Sequence, residues 1–463
     1  MSPPLPVGFR FRLDPTTRVE RGGHTLWGGT GSRLVRLTDE GARELALALQ
    51  PGPLSERGRR LGRRLVAAGL AYPLPPRPCD DSGVTVVIPV RDRAAELDRC
   101  LATVGRRPTI VVDDGSLDPA AILAVCDAHC ARLIRLDVNV GPAAARNAGL
   151  AVADSAYIAF LDSDCVAPED WIAALVGHLE DPLVAAVAPR IQPVPSTGAK
   201  SGPTALERYL QRRCPLVMGE RAAEVRPLSP VPYVPTAALL ARRSALDSGF
   251  DESMRTGEDV DLIWRLVEAG LRVRYDPSVV VHHIEPLTWR AVLTRRFRYG
   301  TSAGPLARRH PGSLSPVLAP PLPVLIVLAA LLGQFLFAAG FACVGTAALA
   351  WRLQRHGVPA WRAPALVLQS VYRFCRDALQ WAIMLFSPLV VATVVASTHP
   401  WAVAAIAIVP CLIEWLQLRP RMDPLRWTMA RIADDIAYGA GVWTGCLRAR
   451  SIEPLLPRVA WPR

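Results

Sequence analysis

Two stretches free of Asp, Glu, Lys and Arg constrain this chain more than any other feature. One fills the 42 positions between Arg309 and Arg352, the other the 36 between Asp377 and Glu414. About 20 apolar residues cross a bilayer as a helix, so each stretch is long enough to enter a membrane. The first half of the chain has no comparable run. A mean hydropathy of +0.22 therefore comes from one region, not from the whole chain. The pattern is that of a soluble part followed by membrane-embedded segments.

Arginines flank the two stretches. Arg352, Arg355, Arg362, Arg373 and Arg376 lie between them, and Arg419, Arg421, Arg426 and Arg431 follow the second. Positive charge stays on the cytoplasmic side. That bias favours a hairpin in each stretch, turning at Gly333-Gln334 and at His399-Pro400. The arms are short, so a re-entrant first hairpin and a three-span arrangement stay open. Residues 311–418 are thus read as membrane-embedded helices and 419–463 as a basic cytoplasmic tail.

The net charge of +12 comes almost wholly from arginine, Lys200 being the only lysine. These arginines are scattered and no nucleic-acid motif accompanies them. Membrane lipid with anionic headgroups is the expected partner, and nucleic acid is not. The ten cysteines show no CxxC pair and no zinc spacing, which fits reduced, buried thiols. Met1 to Phe9 holds no apolar core of signal-peptide length, so the soluble part is expected to face the cytoplasm from the cell membrane.

Within the soluble part, residues 1–78 read as a small unit. Short β-prone runs at Thr17–Val19, His24–Trp27 and Arg33–Leu37 are separated by Gly-Gly turns. Thr38 can cap a helix carrying Ala42, Leu45 and Leu49, and a second helix carries Leu61, Leu65 and Val66 up to Gly69. Strands, two helices and a closing strand suggest a winged-helix-like module. Pro73-Leu74-Pro75-Pro76 reads as a stiff linker after it.

Residues 79–310 differ. Val84–Val90, Ile110–Val112 and Tyr157–Leu161 are continuous apolar runs, as expected of strands buried on both faces. Helical patterns near 94–105, 119–130 and 142–153 alternate with them. This predicts an α/β fold with a parallel, doubly wound, Rossmann-like sheet, whose ligands sit beyond the carboxyl ends of the strands.

The polar signatures fall at those ends. Asp113-Asp114-Gly115-Ser116 follows the second strand, where carboxylates can accept hydrogen bonds from a base or ribose. Gly141 to Gly149 opens a helix of small residues interrupted by Arg146 and Asn147; an arginine there can meet a phosphate. Asp162-Ser163-Asp164 closes the third strand, and two carboxylates so close call for a bridging cation. Gly257-Glu258-Asp259-Val260-Asp261 starts another helix. Acidic residues there complement the helix dipole in any case, and Asp259 can also act as a general base. At about 100° per residue Asp261 points some 200° away from Asp259, so only one of the two can face an acceptor.

Taken singly, each signature has a plain structural explanation. In this order and spacing they closely resemble family 2 glycosyltransferases of the GT-A fold, over residues 84–300. The resemblance implies an inverting transfer from a nucleotide-sugar, usually a UDP-sugar, with Mg²⁺ or Mn²⁺ as cofactor. It implies that Pro89, Asp113 and Asp114 border the nucleotide, that Asp162 meets ribose or sugar, and that Asp164 ligates the metal. Asp259 is then the catalytic base. A late histidine completes the metal site in some GT-A enzymes, which makes His283 in His282-His283 a candidate. The Gln-x-x-Arg-Trp sequence of polysaccharide-extending members is missing. Glu258, Arg295 and Arg298 remain candidates toward the diphosphate or acceptor.

The whole chain is similar to the glycosyltransferases of mycofactocin biosynthesis. Leu37-Thr38-Asp39-Glu40-Gly41 and Leu65-Val66-Ala67-Ala68-Gly69-Leu70 resemble PqqD-type domains, which hold a peptide by strand addition. What this implies is β-linked glucose added to a peptide-derived redox cofactor precursor as acceptor. A membrane-associated glycosyltransferase acting on a lipid or cell-envelope glycan is the alternative. A catalytically dead peptide scaffold is a third reading, opposed by the intact set of four aspartates.

Overall fold

The computed structural model describes residues 3–30, 33–76, 79–194, 203–398 and 400–460. They divide into two units. The first holds residues 1–203 and 213–286, and the second holds 204–212 and 287–463.

The first unit begins with β1 (Arg10–Leu13), β2 (Arg18–Glu20), β3 (Thr25–Gly28) and β4 (Arg33–Arg36). Two helices follow, α1 (Asp39–Ala48) and α2 (Glu56–Ala67), and then β5 (Ala71–Leu74). β2, β3 and β4 form an antiparallel meander. The side chains of Thr38 and Ser55 accept hydrogen bonds from the Gly41 and Gly58 amides and cap the two helices. Leu5, Phe9, Phe11, Leu26, Leu45 and Leu65 fill a separate small core. The proline run expected as a linker starts inside a strand, because β5 pairs antiparallel with β1 and sets Pro73 opposite Phe11. A two-stranded ribbon has edges on both sides, where proline is tolerated.

This module is joined to the rest of the unit by buried charge. The Arg63 guanidinium of α2 donates to both carboxylate oxygens of Asp181, at 2.7 and 2.8 Å. Arg274 donates to the same carboxylate at 2.6 Å. The Tyr72 hydroxyl donates to the Tyr275 carbonyl at 3.1 Å. Burial pushes the Asp181 carboxyl upward, but Arg63 and Arg274 overcome it and hold it below the usual range.

The central sheet is built from β6 (Val84–Val90), β7 (Thr109–Asp114), β8 (Arg132–Leu136), β9 (Tyr157–Leu161) and β10 (Cys165–Val166). Helices α3 (Ala94–Leu101), α4 (Pro119–Ala128) and α5 (Pro142–Ala151) fall between the early strands, and α6 (Trp171–Val176) follows β10. Next come β11 (Val184–Val194), then α7 (Ala205–Arg213), which belongs to the second unit through Arg212, and then β12 (Ala223–Glu224), β13 (Ala238–Arg242), α8 (Glu258–Glu268) and β14 (Arg272–Ile284). Among the described residues the sheet runs β10-β14-β11-β13-β9-β6-β7-β8, with β12 beside β14.

The expectation of a wholly parallel sheet is corrected here. β6 is parallel to β7 and β9, but β13 is antiparallel to both β9 and β11. The fold is α/β with a mixed sheet. Gly149 lets α5 lie close on this sheet, since a Cβ there would fall 2.4 Å from Val87 Cγ1.

The second unit is helical. α9 (Trp289–Thr301) and α10 (Ala303–Arg309) precede β15 (Leu318–Ala319), α11 (Pro321–Leu331), α12 (Phe335–Arg355), α13 (Ala363–Ala396), α14 (Pro400–Leu418), α15 (Pro424–Ala449) and β16 (Arg458–Val459). The first apolar stretch turns at residues 332–334, as expected. α13 begins well before the second stretch, so Arg373 and Arg376 ride on a helix and not in a loop. It is irregular at Phe386, two residues before Pro388, whose ring cannot fit a straight helix. His399 lies outside the described residues. Residues 335–355 and 360–396 are the two helices long and apolar enough to cross a membrane among the described residues. Most of the expected basic tail is α15, a helix with buried charge. Its Asp434 accepts from Arg296 at 2.5 Å and from the Tyr209 hydroxyl at 3.0 Å.

Candidate active site

Strand register assembles the site in the first unit. β6 and β7 run parallel with Pro89 beside Val112 and Val90 beside Asp113, so Pro89 and Asp113 border the same strand ends. Asp113 is fully buried. It accepts from the Ser116 amide at 2.9 Å and pairs with Arg135. Asp114 lies beside it at the end of β7. Its two oxygens accept from the Val140 and Gly141 amides, at 2.8 and 2.9 Å, and so shape the loop leading into α5.

Arg146 is held between two carboxylates. It is buried on α5 and donates to Asp162 at 2.7 Å and to Glu258 at 2.9 Å. Its guanidinium carbon lies 5.5 Å from the Phe250 ring centroid. Burial would lower its proton affinity, but the two carboxylates overcome that and raise it. Both terminal nitrogens are thus engaged by carboxylates, while Nε is buried without a partner. Arg146 is the strut between the end of β9 and the start of α8. Next to it, Asn147 accepts from the Phe250 amide at 2.8 Å and donates to the Phe250 carbonyl at 2.9 Å, pinning the loop after Gly249.

Asp162 and Asp164 do not repel each other unrelieved, because each has its own cation. Asp162 has Arg146, and Asp164 has Arg93 and His283. β10 pairs antiparallel with β14 so that Cys165 faces His283, and this register delivers the imidazole next to Asp164. His283 Nε2 lies 3.3 Å from Asp164 Oδ1, and its Nδ1 lies 3.0 Å from Glu285. Burial lowers the His283 pKa, but Asp164 and Glu285 outweigh it and push it up to about 10. Asp164 is held well below the usual carboxylate range by His283 and Arg93 against the opposing effect of burial.

This corner fits a divalent cation. His283 Nδ1 is hydrogen-bonded to Glu285, so a cation that displaced the Nε2 proton would meet that nitrogen beside the Asp164 carboxylate. No ready-made cluster of three or more His, Cys, Asp or Glu occurs among the described residues. Mg²⁺ and Mn²⁺ need none, since one or two carboxylates and substrate phosphates complete their shell.

α8 begins after Gly257, which is left-handed at φ 83° and turns the chain into the helix. Asp261 is fully buried and pairs with Arg265 at 2.8 Å. Arg265 in turn donates to Ser248 Oγ and the Gly249 carbonyl. Asp259 points elsewhere and is half-buried, with one oxygen 2.8 Å from the Val260 amide. Burial raises its pKa and Glu258 raises it further; Arg146 opposes, and the outcome is about 7. A carboxylate so placed can take a proton at neutral pH.

Arg295 and Arg298 lie on α9, in the second unit. Sequence reading missed Arg93, Arg135 and Glu285. The only signal for each was a lone charged residue near a strand end, which spacing alone does not distinguish from a solvated side chain.

Residues 85–250 match the model of glycosyl transferase family 2, which sets the class. The chain is 36% identical to the pre-mycofactocin glycosyltransferase of Mycobacterium tuberculosis, in an alignment covering 98% of each. The chain belongs to the pre-mycofactocin glycosyltransferase group of family 2. A Rhizobium meliloti N-acetylglucosaminyltransferase is 29% identical over 54% of this chain and 62% of its own. Among solved structures, a Pyrobaculum calidifontis mannosyltransferase in complex with GDP-Man and Mn²⁺ superposes with a TM-score of 0.46 at 19% identity. That superposition covers 80% of this chain and 89% of the other.

Proposed function

We propose that the chain is an inverting, metal-dependent glycosyltransferase. It moves a sugar, glucose in β-linkage, from a UDP-sugar to a peptide-derived redox cofactor precursor. The end-to-end match with the Mycobacterium tuberculosis protein supports the acceptor class. The observation that carries the mechanism is Asp259, held at about pH 7 at the start of α8 beside the Arg146 strut.

In this reading Pro89 and Asp113 border the nucleotide base and Asp162 faces the ribose or sugar. Asp164 and His283 would hold the cation, with Glu285 fixing the imidazole. A divalent cation bound there would neutralise charge building on the diphosphate leaving group. Asp259 accepts the proton of the acceptor hydroxyl as its oxygen attacks the anomeric carbon. The carbon–oxygen bond to the diphosphate breaks on the opposite face, and the anomeric configuration inverts. Arg146 keeps Asp162 and Glu258 at fixed positions during the displacement.

The two long apolar helices and the arginines around them support attachment to the cell membrane, with the first unit in the cytoplasm. The test is incubation of membranes carrying the chain with UDP-glucose and the unglycosylated precursor. Mass spectrometry should find added hexose, and the anomeric coupling constant should report a β-linkage. Asp259→Asn should lose transfer by at least about 10²-fold while still binding UDP-glucose. Full transfer by that variant overturns the base assignment; hexose accepted only by a lipid or glycan overturns the acceptor.

A further inference from the structure

We propose that α11 and α12 form a re-entrant hairpin that dips into the bilayer and returns to the side it came from. Its tip stays in hydrocarbon, and its open end sits among anionic headgroups. The inference rests on the membrane reading above but is independent of the chemistry.

Length argues first. α11 has 11 residues, about 16 Å at ~1.5 Å per residue, against a hydrocarbon core of about 30 Å. Its start is tied to polar structure. β15, just before it, pairs with β16. The Gly312 amide donates to Glu453 at 2.5 Å, and Arg458 donates to the Gly312 carbonyl. α11 therefore leaves a hydrated surface and stops about halfway down.

α12 then returns. A Cβ on Gly345 would fall 2.4 Å from Leu322, so the middle of α12 lies against the first turn of α11. α12 itself has 21 residues, about 31 Å, but only the part from Phe335 to Gly345, about 15 Å, runs beside α11 between the turn and Leu322.

The turn itself is suited to an apolar solvent. The Leu332, Gly333 and Gln334 amides donate to the Leu328, Ala330 and Ala329 carbonyls, at 3.0, 3.1 and 2.8 Å. Gly333 supplies the left-handed residue, at φ 73°, that closes such a helix end. These three donors have internal partners and can enter hydrocarbon, whereas the start of α12 has no side-chain cap. Leu331, Leu332, Phe335 and Leu336 around the turn are 71–89% exposed. The tip carries no charge, Trp or Tyr that would settle at a far membrane surface.

The open end has the opposite character. Arg355 lies over Trp351 at 4.5 Å and Arg362 over Trp361 at 5.2 Å. Both rings are exposed. Trp stacked with Arg, beside Arg352, matches the interfacial zone of a membrane with anionic headgroups. A contact between two protein copies would not require this gradient from apolar tip to aromatic and cationic base.

The experiment uses the full chain in cell membranes and in vesicles of phosphatidylcholine and phosphatidylglycerol. Gln334→Cys and Gln354→Cys are compared with the unaltered chain, whose own thiols set the background. Gln334→Cys should resist a membrane-impermeant maleimide from both sides until detergent is added. A fluorophore on it should be quenched by lipids brominated deep in the acyl chain. Gln354→Cys should react from the cytoplasmic side alone. Reaction of Gln334→Cys from outside the cell means a crossing hairpin and overturns the proposal. Its reaction from the cytoplasmic side means the tip is not in lipid and also overturns it. If the chain fails to float with membranes at all, the membrane reading itself falls.

Discussion

Replacing Glu258 by Gln should move the pH dependence of transfer to lower pH. Asp259 stands at about 7 because burial and the neighbouring Glu258 charge raise it while Arg146 lowers it. Gln keeps the shape and an oxygen to accept from Arg146, but removes the charge. Two charges about 6 Å apart interact by ~3 kcal/mol at an effective dielectric of ~20, which sets an upper bound. At about 1.4 kcal/mol per pH unit, the Asp259 pKa should fall by one to two units, to roughly 5–6. A base works when deprotonated, so kcat/KM rises with pH through this value. The acid limb of the variant should therefore appear one to two units lower. The plateau should fall by no more than about tenfold, because a weaker base pulls the proton less strongly. The assay is kcat/KM for the UDP-sugar from about pH 4.5 to 9, reporting the free enzyme. An acid limb that stays at about 7, or moves upward, would refute the coupling of Glu258 to the base.

Asp164→Asn should weaken Mn²⁺ binding, read by electron paramagnetic resonance, and abolish transfer with unchanged circular dichroism; wild-type transfer in EDTA would contradict the metal role. Asp261→Asn should leave kcat within about tenfold but lower the melting temperature, since it removes a buried partner of Arg265; the reverse split between Asp259 and Asp261 would mean the other carboxylate is the base. Arg63→Met should destabilise the first unit by about 3–5 kcal/mol in denaturant titrations, because it leaves Asp181 short of a buried partner. The Asp181 contribution has a definite pH sense. Its folded pKa is depressed, so stability is fully present above the ordinary carboxylate value of 3.8 and drains away as pH falls below it. A variant as stable as the parent at pH 7 would argue against the ion pair.

What the sequence made legible follows from local physics. β6 and β9 are apolar along their whole length because both faces are covered, so Val84–Val90 and Tyr157–Leu161 could be read directly. The capping threonine of α1 and the left-handed Gly257 before α8 were equally local signals. β13 was missed because Ala238–Arg242 is short, and its antiparallel direction is a property of its neighbours, not of its residues. β11 was obscured by Pro189 and Pro193, which break the expected strand pattern. The acidic strand ends stood out from spacing, but their counter-charges did not. Arg93, Arg146 and His283 reach Asp162 and Asp164 from three different elements, and only the packing of those elements determines which carboxylate each one meets. Residues 424–449 looked like a solvated tail because their charges are visible in sequence, whereas the helix partners that bury them are not.

The ion pair between Arg63 and Asp181 limits how freely this protein can be cut or recombined. A catalytic half beginning at residue 79 would keep Asp181 and Arg274 in a socket emptied of its plug. The socket would be wetted and would lose a bidentate partner whatever the front module binds. Loss of activity in such a fragment would therefore say nothing about peptide capture. Single changes on the outer face of the β2–β4 meander leave that socket filled and are the informative lesion. The two parts of the first unit are thus bound to each other by buried charge and not only by the chain that links them.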